Sequence, residues 1–250
     1  MLRYVLLSIS CFLLLTACGD GLTGQAGGEK PAVDGNPQDV GKDVPRFLNQ
    51  PNPQSCADCV LTRGDLTGVD MAEAELTRAD LSGADLSHGI LYKANLTEAN
   101  LTEANLTGAD MRGAILTGAD TTEANLTGAN LNWAILTGVD MTEARLWGVN
   151  LAGVDLSHAI LYKAYLTEAN LTGADTAEVN LTGASLNWAN MTGADLTGAN
   201  LTGANLFQAN LSTTNLSSAH LTGANLDGAN LDGVIGADFT GALNVPARYR

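Results

Sequence analysis

The apolar positions of this chain recur with a period of five residues. In the stretch ANLTEANLTEANLTGAD, residues 94–110, a small alanine is followed two residues later by a leucine, and three residues separate that leucine from the next alanine. In an α-helix five residues turn the chain about 140° beyond a full circle, so these leucines would not share a face. In a flat strand an odd spacing sends successive leucines to opposite faces. Both apolar positions can face one core only if the chain turns a corner in every unit, and the pattern therefore predicts a coil.

This pattern continues without an insertion through most of the chain. Every fifth residue from Leu61 to Leu231 is large and apolar, about 35 units in one register, and Thr121 and Thr176 are the only polar residues in that slot. From Leu66 onward the residue two places earlier is Ala, Val or Gly in every unit but one, where it is Thr214. We expect the threonines of the leucine slot to hydrogen-bond backbone carbonyls inside the core.

The unit A-(D/N)-L-T-G resembles the repeat of the pentapeptide-repeat family over roughly three quarters of the chain. This resemblance implies an all-β fold, the right-handed quadrilateral β-helix, in which each unit forms one side of a square and four units complete a coil. About nine coils stacked roughly 4.8 Å apart give a solenoid on the order of 43 Å long. We expect the β-helix to occupy residues 56–242 and a short tail to follow at 243–250.

The N-terminus indicates export and lipid anchoring. One basic residue, Arg3, precedes an apolar run over 4–15 that is too short to span a bilayer comfortably, which is typical of a secretory signal. The residues Leu15-Thr16-Ala17-Cys18 resemble the lipobox of bacterial lipoproteins. That resemblance implies a signal peptide at 1–17, cleavage before Cys18, and acyl chains on Cys18 that anchor the mature protein to a membrane of the bacterial envelope.

Residues 18–55 are rich in Gly, Pro, Gln and charge, and they predict a flexible tether between the lipid and the solenoid. An aspartate directly after the lipidated cysteine would resemble an inner-membrane retention signal, but here glycine follows and Asp20 comes one place later. Outer-membrane sorting is therefore the favoured interpretation in a cell with two membranes.

Two cysteines remain in the mature chain beside Cys18. Cys56 and Cys59 occupy a leucine slot and the next alanine slot, so both point toward the start of the core. They can serve as two small apolar core residues, as in the CxxC start that this pair resembles, or form a disulfide in an oxidising compartment. A zinc site needs four ligands and there is no second pair, so the sequence predicts no metal and no cofactor.

Catalysis finds no support in the sequence. His88, His158 and His220 fall on three different sides of a four-unit coil, and no serine or cysteine is placed to be activated by them. A net charge of −15, or −16 without Arg3, disfavours nucleic-acid binding.

Acidic members of the family that mimic DNA and bind DNA gyrase offer an alternative. Export, a Leu-rich core and the absence of a C-terminal dimerising helix all disfavour it.

Residues twenty apart stack on one side of the coil, and one side collects an acidic ladder. Its members are Asp80, Glu103, Asp120, Glu123, Asp140 and Glu143. The ladder is interpreted as a solvated acidic face, with a cation such as Ca²⁺ or a basic partner as the alternative.

An adjacent side collects four aromatic residues from consecutive coils, in a chain with few aromatics. This aromatic strip consists of Trp147, Tyr165, Trp188 and Phe207. Exposed aromatic groups on a polar surface are typical of contact surfaces for protein or glycan, and scatter among outward positions is the competing interpretation. Regular Thr columns suggest ice or crystal-surface binding as a third class, but Glu, Trp and Lys interrupt them. The sequence thus predicts a non-enzymatic, monomeric, lipid-anchored envelope protein that acts as a binding scaffold or spacer.

Overall fold

Residues 55–235 form a stack of square coils in which the sides pair with the sides twenty residues away. The structure, a computed structural model, describes residues 41, 43–48 and 55–250, all within one compact unit, residues 36–250. Parallel bridges join each fifth residue to its counterpart one coil later, from Ser55 with Glu75 to Asn215 with Ile235. Between Ser55 and Ile235 this register completes nine coils. The predicted coil and its repeat of four units are therefore confirmed.

Each corner of the square is a tight turn closed by a backbone hydrogen bond. The N–H of Ala104 donates to the carbonyl of Leu101 at 3.0 Å, and the same bond recurs along the solenoid. The third turn residue has positive φ, as a type II turn requires, for example 65° at Gly108. Glycine adopts this conformation easily, but Glu103 adopts it too, with φ of 58°. The corners therefore accept residues other than glycine.

The core is a column of the leucine-slot and alanine-slot side chains. From Leu61 to Leu231 the residues of the leucine slot are buried. Three threonines occupy core slots, and backbone carbonyls accept from their hydroxyls, as expected for the two in the leucine slot. The hydroxyl of Thr121 donates to the carbonyl of Asp140 at 3.0 Å, that of Thr176 to Asp195 at 2.6 Å, and that of Thr214 to Leu211 at 2.7 Å.

A short helix covers the N-terminal end of this core. Helix α1, Val44–Leu48, buries Phe47 completely among the core residues. The Asp43 carboxylate accepts a 2.9 Å hydrogen bond from the N–H of Val60, and the Asp43 N–H donates to the carbonyl of Val60 at 3.1 Å. The tether expected over 18–55 is thus interrupted by an ordered cap, because an open solenoid end offers apolar surface to Phe47.

The C-terminal end is closed by the residues after the last regular coil. The twenty-residue register ends at Ile235, and the next bridge, between Leu243 and Asn225, closes a shorter coil. A 3-10 turn, Ala247–Tyr249, follows. The Tyr249 hydroxyl accepts from the N–H of Leu231 at 3.1 Å and donates to Asp232 at 2.7 Å. The regular repeat therefore stops before the expected residue 242, and the expected tail at 243–250 packs back as a cap.

Cys56 and Cys59 are joined by a disulfide in the first coil. Their Cα atoms are 5.3 Å apart and both side chains are buried. Of the two alternatives left open by the sequence, the structure therefore has the disulfide, which spans the first corner of the solenoid.

Candidate functional site

The aromatic strip lies on one side of the solenoid, in four consecutive coils. The twenty-residue register stacks Trp147 in the same column as Phe207, while Tyr165 and Trp188 occupy neighbouring columns of that side. The exposed fractions of Trp147, Tyr165 and Trp188 are 54%, 54% and 51%, and Phe207 is half-buried. Large rings are therefore left in water on a surface otherwise made mostly of Asn, Thr, Ser and Gly.

Two members of the strip touch each other. The rings of Trp188 and Phe207 meet edge to face, with centroids 5.4 Å apart, a favourable arrangement for aromatic pairs. The indole N–H of Trp188 donates to the Gln208 side chain at 3.0 Å. This pair is held in one geometry by a ring contact and a hydrogen bond, so it presents a preformed aromatic ridge.

The other two members stand beside a cation. Tyr165 pairs directly with Arg145 across adjacent coils, and Trp147 is two residues beyond Arg145 on the same side. Both rings and the guanidinium are exposed. The strip therefore combines an Arg-flanked half and a Gln-flanked half, which suits a partner with both apolar and polar groups.

The acidic ladder occupies a neighbouring side, and its two kinds of carboxylate differ in role. Asp80 and Asp140 accept hydrogen bonds from backbone N–H groups two residues on, at 3.1 and 3.0 Å, which fixes the start of the turn. The glutamates at the corner, Glu103 and Glu143 among them, are exposed. Only a distant contact of 3.9 Å joins Glu143 to Lys163. Asp120 and Glu123 occupy the matching Asp and Glu positions, and Asp120 accepts from the N–H of Thr122 at 3.1 Å.

Within the part of the chain that the structure describes, no group of three or more His, Cys, Asp or Glu side chains is arranged to hold a metal ion. The three histidines lie on different sides, as the sequence predicts. The imidazole of His158 is 3.2 Å from the carboxylate of Glu178, and both side chains are exposed.

Sequence reasoning missed two surface features. Trp133 lies outside the strip, and it is 72% exposed, more than any strip residue. A second column of aspartates, Asp155, Asp175 and Asp195, stacks in three consecutive coils on another side. The positions of Trp133 and of the aspartate column could both have been predicted from the sequence. With four units per coil, the twenty-residue register assigns every residue to one side.

The lipidation site expected at Cys18 and the signal peptide expected at 1–17 lie outside the described residues. Among those described, no helix is long and apolar enough to cross a membrane.

Comparison with protein families gives a match to pentapeptide repeats, in eight copies that together run from residue 55 to 243. The chain belongs to the pentapeptide-repeat family. Its fold class is the right-handed quadrilateral β-helix, as the sequence predicts.

Several solved pentapeptide-repeat proteins are similar to this one. HetL from the cyanobacterium Nostoc sp. strain PCC 7120, involved in heterocyst differentiation regulation, is 34% identical, with 73% of this chain and 87% of HetL covered and a TM-score of 0.28. QnrB1, a plasmid-mediated fluoroquinolone resistance protein, is 20% identical, with 76% and 93% covered and a TM-score of 0.45. Rfr23 from the cyanobacterium Cyanothece 51142 is 33% identical over 46% of this chain and 58% of Rfr23, with a TM-score of 0.12. None of the curated proteins compared matches the chain.

Proposed function

We propose that this pentapeptide-repeat protein is a non-enzymatic, lipid-anchored envelope protein that binds a protein or glycan partner through the aromatic strip. The observation that carries the proposal is the gathering of Trp147, Tyr165, Trp188 and Phe207 on one side of the solenoid. Aromatic residues and arginine are the groups that most often anchor binding partners. A solenoid offers faces and not pockets, so its function is to present a surface.

The strip has the composition of a binding surface and is not needed by the fold. In most other coils the same positions hold Thr, Asn or Gly, and the solenoid closes equally well there. Exposed tryptophans contribute nothing to the core and leave apolar area in water, which a partner would cover. Trp188 also adopts a φ of 55°, a conformation that glycine adopts at lower cost.

Anchoring through Cys18 is the second part of the proposal. The lipobox-like residues before Cys18 support it, together with the Gly-rich and Pro-rich segment that follows. Acyl chains on Cys18 would hold the rod near the membrane, and the segment before α1 would let its sides face outward. The gyrase-binding alternative finds no further support, since likeness to QnrB1 at 20% identity concerns the fold alone.

The test replaces the strip with the residues that fill its positions elsewhere. The strip variant carries Trp147→Thr, Tyr165→Asn, Trp188→Gly and Phe207→Thr. The matched control carries Ile115→Asn and Ile135→Asn, which remove apolar residues from the opposite side of the solenoid. Neither variant should lose thermal stability, because no core residue changes and Trp188→Gly places glycine at a positive φ.

Native, strip-variant and control chains are cross-linked in cells and purified from detergent-solubilised envelopes. The expected result is one partner species recovered with the native and control chains and lost with the strip variant. Equal recovery with all three would reject the strip as the binding surface.

A further inference from the structure

Two stretches of this chain repeat one another almost completely. Residues 85–102 and 155–172 differ only at 89/159, Gly against Ala, and at 95/165, Asn against Tyr. Each presents an isoleucine, a tyrosine and a lysine on the outside of one unit. The first Ile-Tyr-Lys patch is Ile90, Tyr92 and Lys93, and the second is Ile160, Tyr162 and Lys163.

The two patches face opposite directions. In the twenty-residue register the second patch follows the first by three and a half coils, so the patches lie on opposite sides of the square. Along the axis they are separated by roughly 17 Å at a coil spacing of about 4.8 Å. Two partners of the same kind can therefore be held at once, one on each side.

Each patch breaks the polar character of its surroundings. Ile90 and Ile160 are 40% and 39% exposed, in columns made otherwise mostly of Asp and Asn. The ammonium of Lys93 lies 5.1 Å from the centre of the Tyr92 ring, and the same pair in the second patch is 4.9 Å apart. These are the only two lysines between residues 55 and 250.

The internal duplication is uneven, and the patches lie in its unchanged part. The two copies extend back to the identical residues 68–71 and 138–141, both GVDM. Between these points and the patches, six of the eight outward positions differ between the copies, and only Glu73/Glu143 and Gly83/Gly153 are shared. From 85 to 93 every outward residue is the same as in the second copy. Divergence has thus changed the surface beside the patches and not the patches.

The charges of each patch complement those of an identical patch. A glutamate stands one coil before each lysine in the same column, Glu73 before Lys93 and Glu143 before Lys163. In the second patch the two charges are 3.9 Å apart. A two-fold contact between antiparallel rods reverses the axis, so the coil with Lys93 faces the coil with Glu73 of the other copy. In the first patch Tyr92 then faces the small Ala72 of that copy and Ile90 faces Asp70, and in the second patch Tyr162 faces Thr142 and Ile160 faces Asp140.

We propose that the two Ile-Tyr-Lys patches are contact surfaces for a second copy of this chain. Because the patches lie on opposite sides, each rod can contact two others, and rods associate side by side into open rows. This differs from the monomer expected from the sequence and does not depend on the aromatic strip or on lipid. The net charge of −15 opposes association at long range, so burial of the two tyrosines and the Lys–Glu contacts between copies must drive it.

Sedimentation velocity of the purified full chain tests the proposal, with Cys18→Ala to prevent lipid attachment and the same mild detergent in every sample. The sedimentation coefficient should rise with protein concentration beyond the value of a dimer. It should rise further between about 0.15 M and about 1 M NaCl, where the Debye length falls from about 8 to about 3 Å and the repulsion between rods is screened.

Patch variants use residues that fill these slots in most other coils, so the fold is kept. Ile90→Asn with Tyr92→Thr should stop association of the full chain at dimers, formed through the second patch. Adding Ile160→Asn and Tyr162→Thr should leave monomers at every concentration.

Charge-reversal variants distinguish this specific contact from non-specific association. Lys93→Glu with Lys163→Glu should remove association, and adding Glu73→Lys and Glu143→Lys should restore it. A native chain that is monomeric throughout, a double-patch variant that still associates, or association insensitive to charge reversal would overturn the proposal. The strip variant should associate like the native chain. If the strip variant does not associate, the aromatic strip and not the patches forms the contact between copies, and the proposal is overturned.

Discussion

The corners of the solenoid make a quantitative prediction, because non-glycine residues hold the left-handed conformation at many of them. Glu123 has φ of 58°, and Gly128, at the next corner of the same coil, has φ of 66°. A residue with a Cβ loses roughly 1–2 kcal/mol in this conformation, and glycine loses about 0.5–1 kcal/mol through its greater freedom in the unfolded chain. Glu123→Gly should therefore stabilise the protein by about 0.5–1 kcal/mol, and Gly128→Ala should destabilise it by a similar amount.

Steric clash does not contribute to the predicted change in stability at either corner. A Cβ built on Gly128 would meet no atom within 4 Å, so the cost of Gly128→Ala comes from the backbone alone. Glu123 carries a charge between Glu103 and Glu143, so Glu123→Ala serves as the control that removes the charge and keeps the Cβ. Exposed charge interactions contribute only tenths of a kcal/mol, and the comparison of Gly with Ala at 123 isolates the backbone effect.

Thermal unfolding followed by far-UV circular dichroism measures these differences. For a domain of this size about 1 kcal/mol corresponds to a shift of roughly 2–4 °C in Tm. The expected order is Glu123→Gly above Glu123→Ala, and the native chain above Gly128→Ala. A Gly variant at 123 no more stable than the Ala variant, or a neutral Gly128→Ala, would refute the role assigned to positive φ at the corners.

Three further predictions concern the anchor, the core and the pH dependence. Cys18→Ala should abolish metabolic labelling by a fatty acid and release the protein from membranes; unchanged membrane association would reject lipidation. Leu131→Ala, which opens a cavity in the core, should cost about 2–5 kcal/mol in denaturant unfolding, and a cost below about 1 kcal/mol would mean that the leucine slot is not packed. The Ser87 hydroxyl and N–H lower the pKa of Asp85, so this stabilisation exists above the ordinary aspartate pKa near 3.9 and is lost as pH falls through the lower folded value. Ser87→Ala should therefore reduce the loss of stability on going from pH 7 to below about pH 4, and an unchanged loss would contradict this role.

The regular part of the fold could be predicted from the sequence because every unit turns the same small and large apolar side chains toward the core. The alternation of Ala99 and Leu101 fixes what faces inward, and unbroken register fixes the twenty-residue stacking. The hydrogen bonds of Thr121 and Thr176 also followed, since a buried hydroxyl needs an acceptor and the backbone supplies one.

The ends of the solenoid could not be predicted in the same way. Helix α1 has only five residues, too few for a periodic pattern, and Phe47 is buried by contacts with coils that are distant in sequence. Tyr249 likewise finds its partners, Leu231 and Asp232, only once the last coil has formed.

The candidate site falls between these cases. Register alone placed Trp147 and Phe207 in one column, but the ring contact between Trp188 and Phe207 depends on rotamers that no spacing specifies. Trp133 was overlooked because no aromatic residue of an adjacent coil shares its side, although its exposure is the greatest.

Site-specific photo-cross-linking in cells tests the central claim, that the aromatic strip binds a partner in the envelope, most directly. A photoreactive phenylalanine analogue is placed at Phe207 or, as the control, at Thr107, which holds the same column and slot five coils earlier. The account predicts a discrete adduct from position 207 that disappears when Trp188→Gly is added, and none from position 107. Equal adducts from both positions, or none from position 207 in intact cells, would contradict it.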